Sequence, residues 1–153
     1  MPLEPGTPAP DFTLLDQHGE PFRLSASLAV RGTRHFVYFY PRADTGGCTA
    51  QACGLRDVLD RIGGTEVVGI SPDEPGAQAR FDVKHGLGFT LLSDPDHAVA
   101  ESYGTWGEKS LYGRTYMGVV RSAFLVDPSG AIEAAWYKVS PKRTVSQLLQ
   151  ALR

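Results

Sequence analysis

Two short apolar runs with a helix-length segment between them limit this chain most. Residues 35–40 read His-Phe-Val-Tyr-Phe-Tyr and residues 66–71 read Glu-Val-Val-Gly-Ile-Ser. Aromatic and β-branched content makes both runs strands, and Pro41 stops the first. Between them, residues 48–62 place Leu55, Val58, Leu59 and Ile62 at helical spacing, and Gly63-Gly64 ends the run. A strand–helix–strand unit requires a parallel pair.

Residues 74–85 then read as a helix stopped by Gly86. Ser93-Asp94-Pro95 starts a short helix, with Pro at the first helical position, and Gly104 ends it. Residues 121–126 and 131–137 form two strands joined by Asp127-Pro128-Ser129-Gly130, a type I turn pattern. Thr144 and Gln147 suit a capping box for a last helix, whose Val145, Leu148, Leu149 and Leu152 share a face. The expected order is β-α-β-α-(β)-α-β-β-α. It predicts an α/β fold with a mixed central sheet and helices on both faces. In such sheets, sites form at the carboxyl ends of strands. No repeat or linker interrupts the pattern, and 153 residues suit a single domain over 1–153.

The net charge of −2, without a basic run, argues against nucleic acid as a partner. No apolar run reaches membrane-helix length, so no membrane association is expected. The start, MPLEPGTPAPDF, lacks the basic and apolar regions of a secretory signal, and a cytoplasmic location is expected. In a reducing compartment a cysteine pair is more often catalytic than structural. The chain has no asparagine, which excludes N-glycosylation and a Cys-His-Asn protease arrangement.

Cys48 and Cys53 are the only cysteines. Cys48 falls at a helix start, just past the strand that ends at Tyr40. Orphan N–H groups and the positive end of the helix dipole favour thiolate over thiol there. Arg121, at the start of a strand expected near the first, is the candidate cation beside it. An inert buried cysteine is the alternative. In an intact helix, residues five apart have Cα atoms about 8.6 Å apart. A disulfide needs them within about 6.8 Å. A Cys48–Cys53 bond therefore requires the first turns to unwind. Gly46, Gly47 and Gly54 lower the cost of opening, although Gly54 could equally mark a close packing contact. Upstream, Pro41 fixes the backbone and removes a donor. The Thr45 hydroxyl could bond a thiolate or a bound oxygen, or cap the helix.

The segment FYPRADTGGCTAQAC carries P-x-x-x-T-x-x-C and resembles the peroxiredoxins. The four-residue gap to Cys53 is similar to the peroxiredoxin Q, or bacterioferritin comigratory protein, group. Ala9-Pro-Asp-Phe-Thr-Leu, Leu92-Ser-Asp-Pro-Asp, Tyr103-Gly-Thr-Trp-Gly-Glu-Lys and Met117-Gly-Val-Val-Arg-Ser-Ala-Phe-Leu-Val-Asp extend the likeness over nearly the whole chain. The resemblance implies a thioredoxin-like fold with an N-terminal extension. It implies a peroxidatic Cys48 in a pocket shaped by Pro41, Thr45 and Arg121, and a resolving Cys53 that closes an intramolecular disulfide. Hydrogen peroxide and organic hydroperoxides are the implied substrates, and thioredoxin or a similar dithiol protein the implied reductant. No metal or other cofactor is implied, and a monomer suffices. With no segment after the last helix, no C-terminal lid is expected to delay resolution, so resistance to overoxidation is expected. Two departures stand out: Gly46 where the group commonly has proline, which suggests a more mobile loop, and Gln51 where it often has glutamate, which argues against carboxylate-assisted proton handling.

Other readings use the same residues. A redox sensor would pass oxidation on without efficient turnover. A disulfide oxidoreductase would need C-x-x-C, which is absent. A zinc module would need tighter spacing, and His18, His35, His85 and His97 are scattered as packing or surface residues. Trp106 and Trp136 read as core or pocket-wall residues, Trp106 as the one that could flank the site, and Tyr40 could pack in the core or line the pocket.

Overall fold

The computed structural model describes residues 2–153. Nine strands and five helices follow one another as β1 (Thr13–Asp16), β2 (Pro21–Arg23), α1 (Leu24–Arg31), β3 (His35–Phe39), α2 (Gly46–Arg56), β4 (Glu66–Ser71), α3 (Pro75–His85), β5 (Thr90–Ser93), α4 (Ala98–Ser102), β6 (Trp106–Leu111), β7 (Arg114–Val119), β8 (Ser122–Val126), β9 (Ile132–Trp136) and α5 (Thr144–Ala151). Seven strands form one sheet in the order β2-β1-β5-β4-β3-β8-β9, and β6 and β7 pair only with each other. The β3–β4 and β4–β5 pairs are parallel; β8 lies antiparallel to β3 and β9. The expected mixed sheet is therefore present.

All five residues of β3 are buried. Phe36 and Tyr38 point to one core layer with Cys48, Ala52 and Leu55 of α2, Phe81 of α3 and Leu148 of α5. Val37 and Phe39 point to the other, with Leu24 and Leu28 of α1 and Val99 and Ala100 of α4. Period-two alternation in a strand covered on both sides produces this split. Helices thus cover both faces, with the cysteines on the α2–α3–α5 side.

Several elements depart from the sequence pattern. The expected helix over 48–62 is α2 plus a separate 3-10 turn at Leu59–Arg61. Val58 donates to the Leu55 carbonyl (3.2 Å), tightening the chain out of the α-helix while Leu55, Val58 and Ile62 stay buried. A threefold turn also keeps i, i+3 neighbours on one side, so the apolar spacing fits both conformations. Thr144 does not make a capping box. Its hydroxyl donates to the Ser140 carbonyl (3.1 Å), and Ser140 caps the 3-10 turn at Pro141–Arg143 instead. Asp94 does cap a helix, but the helix begins at Ala98. Its carboxylate accepts from the Val99 and Ala100 N–H groups at 3.2 and 2.9 Å. The β1–β2 hairpin, α1 and the β6–β7 hairpin complete the chain where sequence pattern specified no element. Asp127 accepts from the Gly130 N–H (2.9 Å), the tight turn expected between β8 and β9.

Candidate active site

The site forms at the carboxyl end of β3. Phe39 pairs with Ser122 of β8, so the residue just before β8, Arg121, arrives beside the chain that leaves β3. Residues 41–45 then carry the backbone to α2. Ala43 donates its N–H to Asp73 (2.7 Å), which anchors this loop to the chain after β4. Asp44 sits at φ +60°, a left-handed conformation, and its carboxylate meets Lys84 (2.9 Å) and His85 (3.1 Å) of α3. Hydrogen bonds from Lys84 and then His85 hold the Asp44 carboxyl below its ordinary value.

Thr45 occupies the N-cap position of α2, yet its side chain makes no capping bond; it donates to the Arg42 carbonyl (2.9 Å). Of the two roles open to the Thr45 hydroxyl in the sequence, helix capping is therefore not the one it takes. The first intrahelical bond runs from the Thr49 N–H to the Thr45 carbonyl (2.8 Å). The N–H groups of Gly46, Gly47 and Cys48 therefore precede the helical ladder. Cys48 lies inside this first turn, 1% exposed, with Arg121 Nη2 donating to its Sγ at 3.4 Å. Cys53 is half-buried in the same helix, and both thiols are free. Pro41 is half-buried at the start of the loop.

The structure thus gathers Cys48, Thr45 and Arg121 around one helix start, with Pro41 at the loop entry and Cys53 farther along the helix. Sequence reasoning missed three participants. Gln51, fully buried, accepts from Arg121 Nη1 (2.7 Å) and donates to Thr144 Oγ1 (2.9 Å). Lys109 donates to the Val119 carbonyl (2.9 Å) on the β6–β7 hairpin. Burial first, and the Arg121 charge second, push its ammonium below the ordinary value, against a pull from Cys48. A cleft of about 560 Å³ runs past Lys109, Arg121, Lys138 and Val139. The sequence marks Thr144 only as a helix cap and Gln51 only as a departure from the group's glutamate, and gives Lys109 no role.

Beneath α2, the buried Tyr38 hydroxyl has no hydrogen-bond partner, and burial raises its ionisation well above the ordinary value. A Cβ on Gly69 would lie 3.0 Å from the Tyr38 ring, so any larger residue there requires the ring to give way by a few tenths of an ångström. Tyr40 donates its hydroxyl to Gln78 and lies buried as core rather than pocket wall. Trp106 packs in the other core layer and stacks on His97, with ring centroids 3.8 Å apart. It does not join Cys48's layer, which corrects the reading that placed it beside the site. Among the described residues no cluster of metal-ligating side chains occurs. None of their helices is long and apolar enough to cross a membrane.

The family model for the AhpC/TSA family matches residues 5–135. The chain belongs to the AhpC/TSA family. It falls in the Bcp/peroxiredoxin Q group of that family and is a thiol-dependent peroxidase. Peroxiredoxin Bcp of Escherichia coli is 52% identical over 134 residues, spanning 86% of this chain and 84% of the relative. A putative peroxiredoxin bcp of Haemophilus influenzae is 48% identical over 99% of this chain and 97% of its own. Among solved structures, the Xanthomonas campestris bacterioferritin comigratory protein, studied for alkyl peroxide reduction, superposes with a TM-score of 0.84 at 31% identity, covering 92% of this chain and 89% of that one. BcpB of Mycobacterium tuberculosis gives 0.84 at 32% identity, covering 99% and 97%. The thioredoxin-like peroxiredoxin fold is shared with these structures. A peroxiredoxin acts on a hydroperoxide and draws on a thiol reductant, so this peroxiredoxin has both as partners.

Proposed function

We propose that Cys48 is the peroxidatic nucleophile and Cys53 the resolving thiol of this peroxidase. The observation that carries the reading is Arg121 Nη2 at 3.4 Å from Cys48 Sγ, on a helix turn whose N–H groups precede the ladder. A guanidinium and aligned amides stabilise negative charge on sulfur and on the oxygens of a bound peroxide. The Cys48 thiolate attacks one peroxide oxygen and the O–O bond breaks. The other oxygen leaves with a proton as water or an alcohol, and Cys48 becomes a sulfenic acid. The sulfur is oxidised by the two electrons that reduce the peroxide. The Thr45 hydroxyl, its hydrogen given to Arg42, offers lone pairs to a peroxide O–H. Pro41 holds the loop in shape and presents no N–H of its own.

The Cys53 sulfur then attacks Cys48, an S–S bond forms, and the sulfenic oxygen leaves as water. Both cysteines belong to the eleven-residue α2, where intact geometry keeps their Cα atoms about 8.6 Å apart. The first turns open for this step. A dithiol protein of the thioredoxin class returns the two electrons through a mixed disulfide. Hydrogen peroxide and organic hydroperoxides are both substrates, and the alkyl peroxide activity of the Xanthomonas relative supports the second. A monomer in the cytoplasm completes the cycle, since the bond closes within one chain.

Stopped-flow peroxide consumption with thioredoxin and its reductase tests this reading. Cys48→Ser should abolish consumption, and Cys53→Ser should allow one fast oxidation and then stall. Retained activity in the first, or full thioredoxin-dependent turnover in the second, would remove the assignment. A redox sensor would instead stall in the wild type after a single oxidation.

A further inference from the structure

We propose that Tyr38 sets how readily α2 opens: its hydroxyl has no partner while the helix is closed and gains one when the turns between Cys48 and Cys53 lift, which biases the fold toward the state in which the two sulfurs meet. The need for opening follows from the roles given above to Cys48 and Cys53, and the proposal rests on that reading. Tyr38 and Tyr40 stack on one face of the chain at the end of β3, with ring centroids 5.4 Å apart. Both are buried. Their hydroxyls fare differently. Tyr40 donates to the side-chain oxygen of Gln78, whose amide nitrogen donates in turn to Ser71 Oγ (2.9 Å) and the Leu92 carbonyl (2.8 Å). The Tyr38 hydroxyl has no such chain to join.

The surroundings explain why it is left alone. The Tyr38 ring lies against Gly69 of β4, which brings no side chain to it, and the Gly69 backbone is committed to the parallel ladder between β3 and β5. Phe36 and Phe89 flank the ring, each with its centroid 6.2 Å away. The same core layer is closed by the buried stripe of α2, Cys48, Ala52 and Leu55 at i, i+4 and i+7. Burial leads in raising the ionisation of Tyr38, and charge on Tyr40, Cys48 and Cys53 raises it further, against Arg121; the hydroxyl thus feels both sulfurs. A buried hydroxyl without a partner carries a cost that hydration removes. When the turns between Cys48 and Cys53 unwind, Cys48 and Ala52 leave this layer, and water and the freed carbonyls of α2 become available to Tyr38. Other contacts hold the helix shut. A Cβ on Gly54 would lie 3.2 Å from Val145 Cγ2, so Gly54 is a close packing contact, the alternative raised for it in the sequence. Tyr38 offsets part of that hold.

Hydrogen exchange of the α2 amides in the reduced full chain, read by mass spectrometry, measures opening without any cysteine chemistry. Tyr38→Phe keeps the ring and deletes the unpartnered hydroxyl, and should slow that exchange about 5- to 30-fold. On mixing with hydrogen peroxide, stopped-flow should show Cys48 oxidised at the wild-type rate. Acid quench with mass spectrometry should show the Cys48–Cys53 link slowed by the same factor as the exchange. Sulfinic acid at Cys48 should then form at lower peroxide, because the sulfenic acid waits longer for Cys53. Tyr40→Phe, which strips Gln78 of its donor instead, should slow neither α2 exchange nor link formation. Wild-type exchange in Tyr38→Phe, or equal slowing in Tyr40→Phe, would overturn the proposal and leave the cysteine roles standing. Failure of the wild type itself to form the link would overturn the cysteine roles, and the proposal with them.

Discussion

Two helix starts in this protein are built in opposite ways. At α4, the carboxylate of Asp94 closes on two backbone N–H groups and nothing is left for a ligand. At α2, Thr45 stands directly at the N-cap but turns its hydroxyl back to Arg42, and Gly46, Gly47 and Cys48 keep their N–H groups outside the ladder. Asp94 is 2% exposed, while Thr45, Gly46 and Gly47 are exposed. The first arrangement is a structural cap; the second gives up a cap and presents amides, a buried thiol and a guanidinium to whatever binds there.

Arg121 provides the largest test of this contrast. Arg121→Ala should slow oxidation of Cys48 by about 100-fold or more, the scale of removing one preorganised donor from a developing anion. A fall of less than threefold would mean that the helix start suffices without the cation. Stopped-flow oxidation of the thermally folded variant reads this directly.

The sequence made one side of the comparison easier to see than the other. The strand leading to Pro41, the glycines and the thiol that follow, and the parallel β3–β4 pair are local patterns, and they place Cys48 at the carboxyl end of β3. Arg121 required the fold, because a separation of 73 positions closes only through the β3–β8 pairing. Thr45 and Thr144 look like caps because a hydroxyl before a helix usually is one. Which way each hydroxyl turns depends on competing carbonyls, Arg42 and Ser140, that spacing does not reveal. Gln51 and Thr144 meet across 93 positions, and a buried amide has no periodic signature. The β6–β7 hairpin was hidden for another reason: its exposed Leu111, Tyr112, Tyr116 and Met117 break the alternation that marks a half-buried strand.

A second test exchanges the roles of the two caps. Asp94→Ala should cost about 1–2 kcal/mol in urea unfolding and leave peroxide oxidation per folded molecule unchanged. Thr45→Ala should do the reverse, with under about 0.5 kcal/mol in stability and a clear loss in oxidation rate. Equal stability losses would show that Thr45 supports the helix start after all. Asp94→Asn refines the comparison. Burial is the leading influence on the Asp94 carboxyl and raises it above the ordinary value, against the N–H bonds of Ala100 and Val99. Its ionised form is therefore disfavoured by folding, and stability linked to its protonation is present at low pH and lost as pH rises through the raised value. Asparagine keeps one of the two acceptor oxygens and cannot titrate, so this pH dependence should vanish from the variant's unfolding curves, with one of the two N–H bonds lost.

Packing beneath α2 supplies a smaller test. Gly69→Ala pushes a methyl against the Tyr38 ring at 3.0 Å and should destabilise the fold by about 1–3 kcal/mol, with unchanged oxidation in the molecules that remain folded. The smallest effect concerns His35, whose Nδ1 donates to the Thr33 carbonyl while Nε2 accepts from Ser27. Burial holds it below the ordinary value of 6.5. The unfolded chain takes up the proton first, so the stabilisation is full above pH 6.5 and declines as pH falls from there through the folded value. His35→Gln should flatten that decline in unfolding midpoints measured between pH 7 and 5.

The central claim is that Cys48, at the open helix start, is oxidised first and then meets Cys53 in the same chain. Peptide mapping by mass spectrometry after one equivalent of hydrogen peroxide tests it most directly. The expected product is a single peptide pair joined through Cys48 and Cys53 within a monomer, with neither sulfinic acid at Cys48 nor links between chains. A free Cys48 beside an oxidised Cys53, or a link only between two copies, would contradict it.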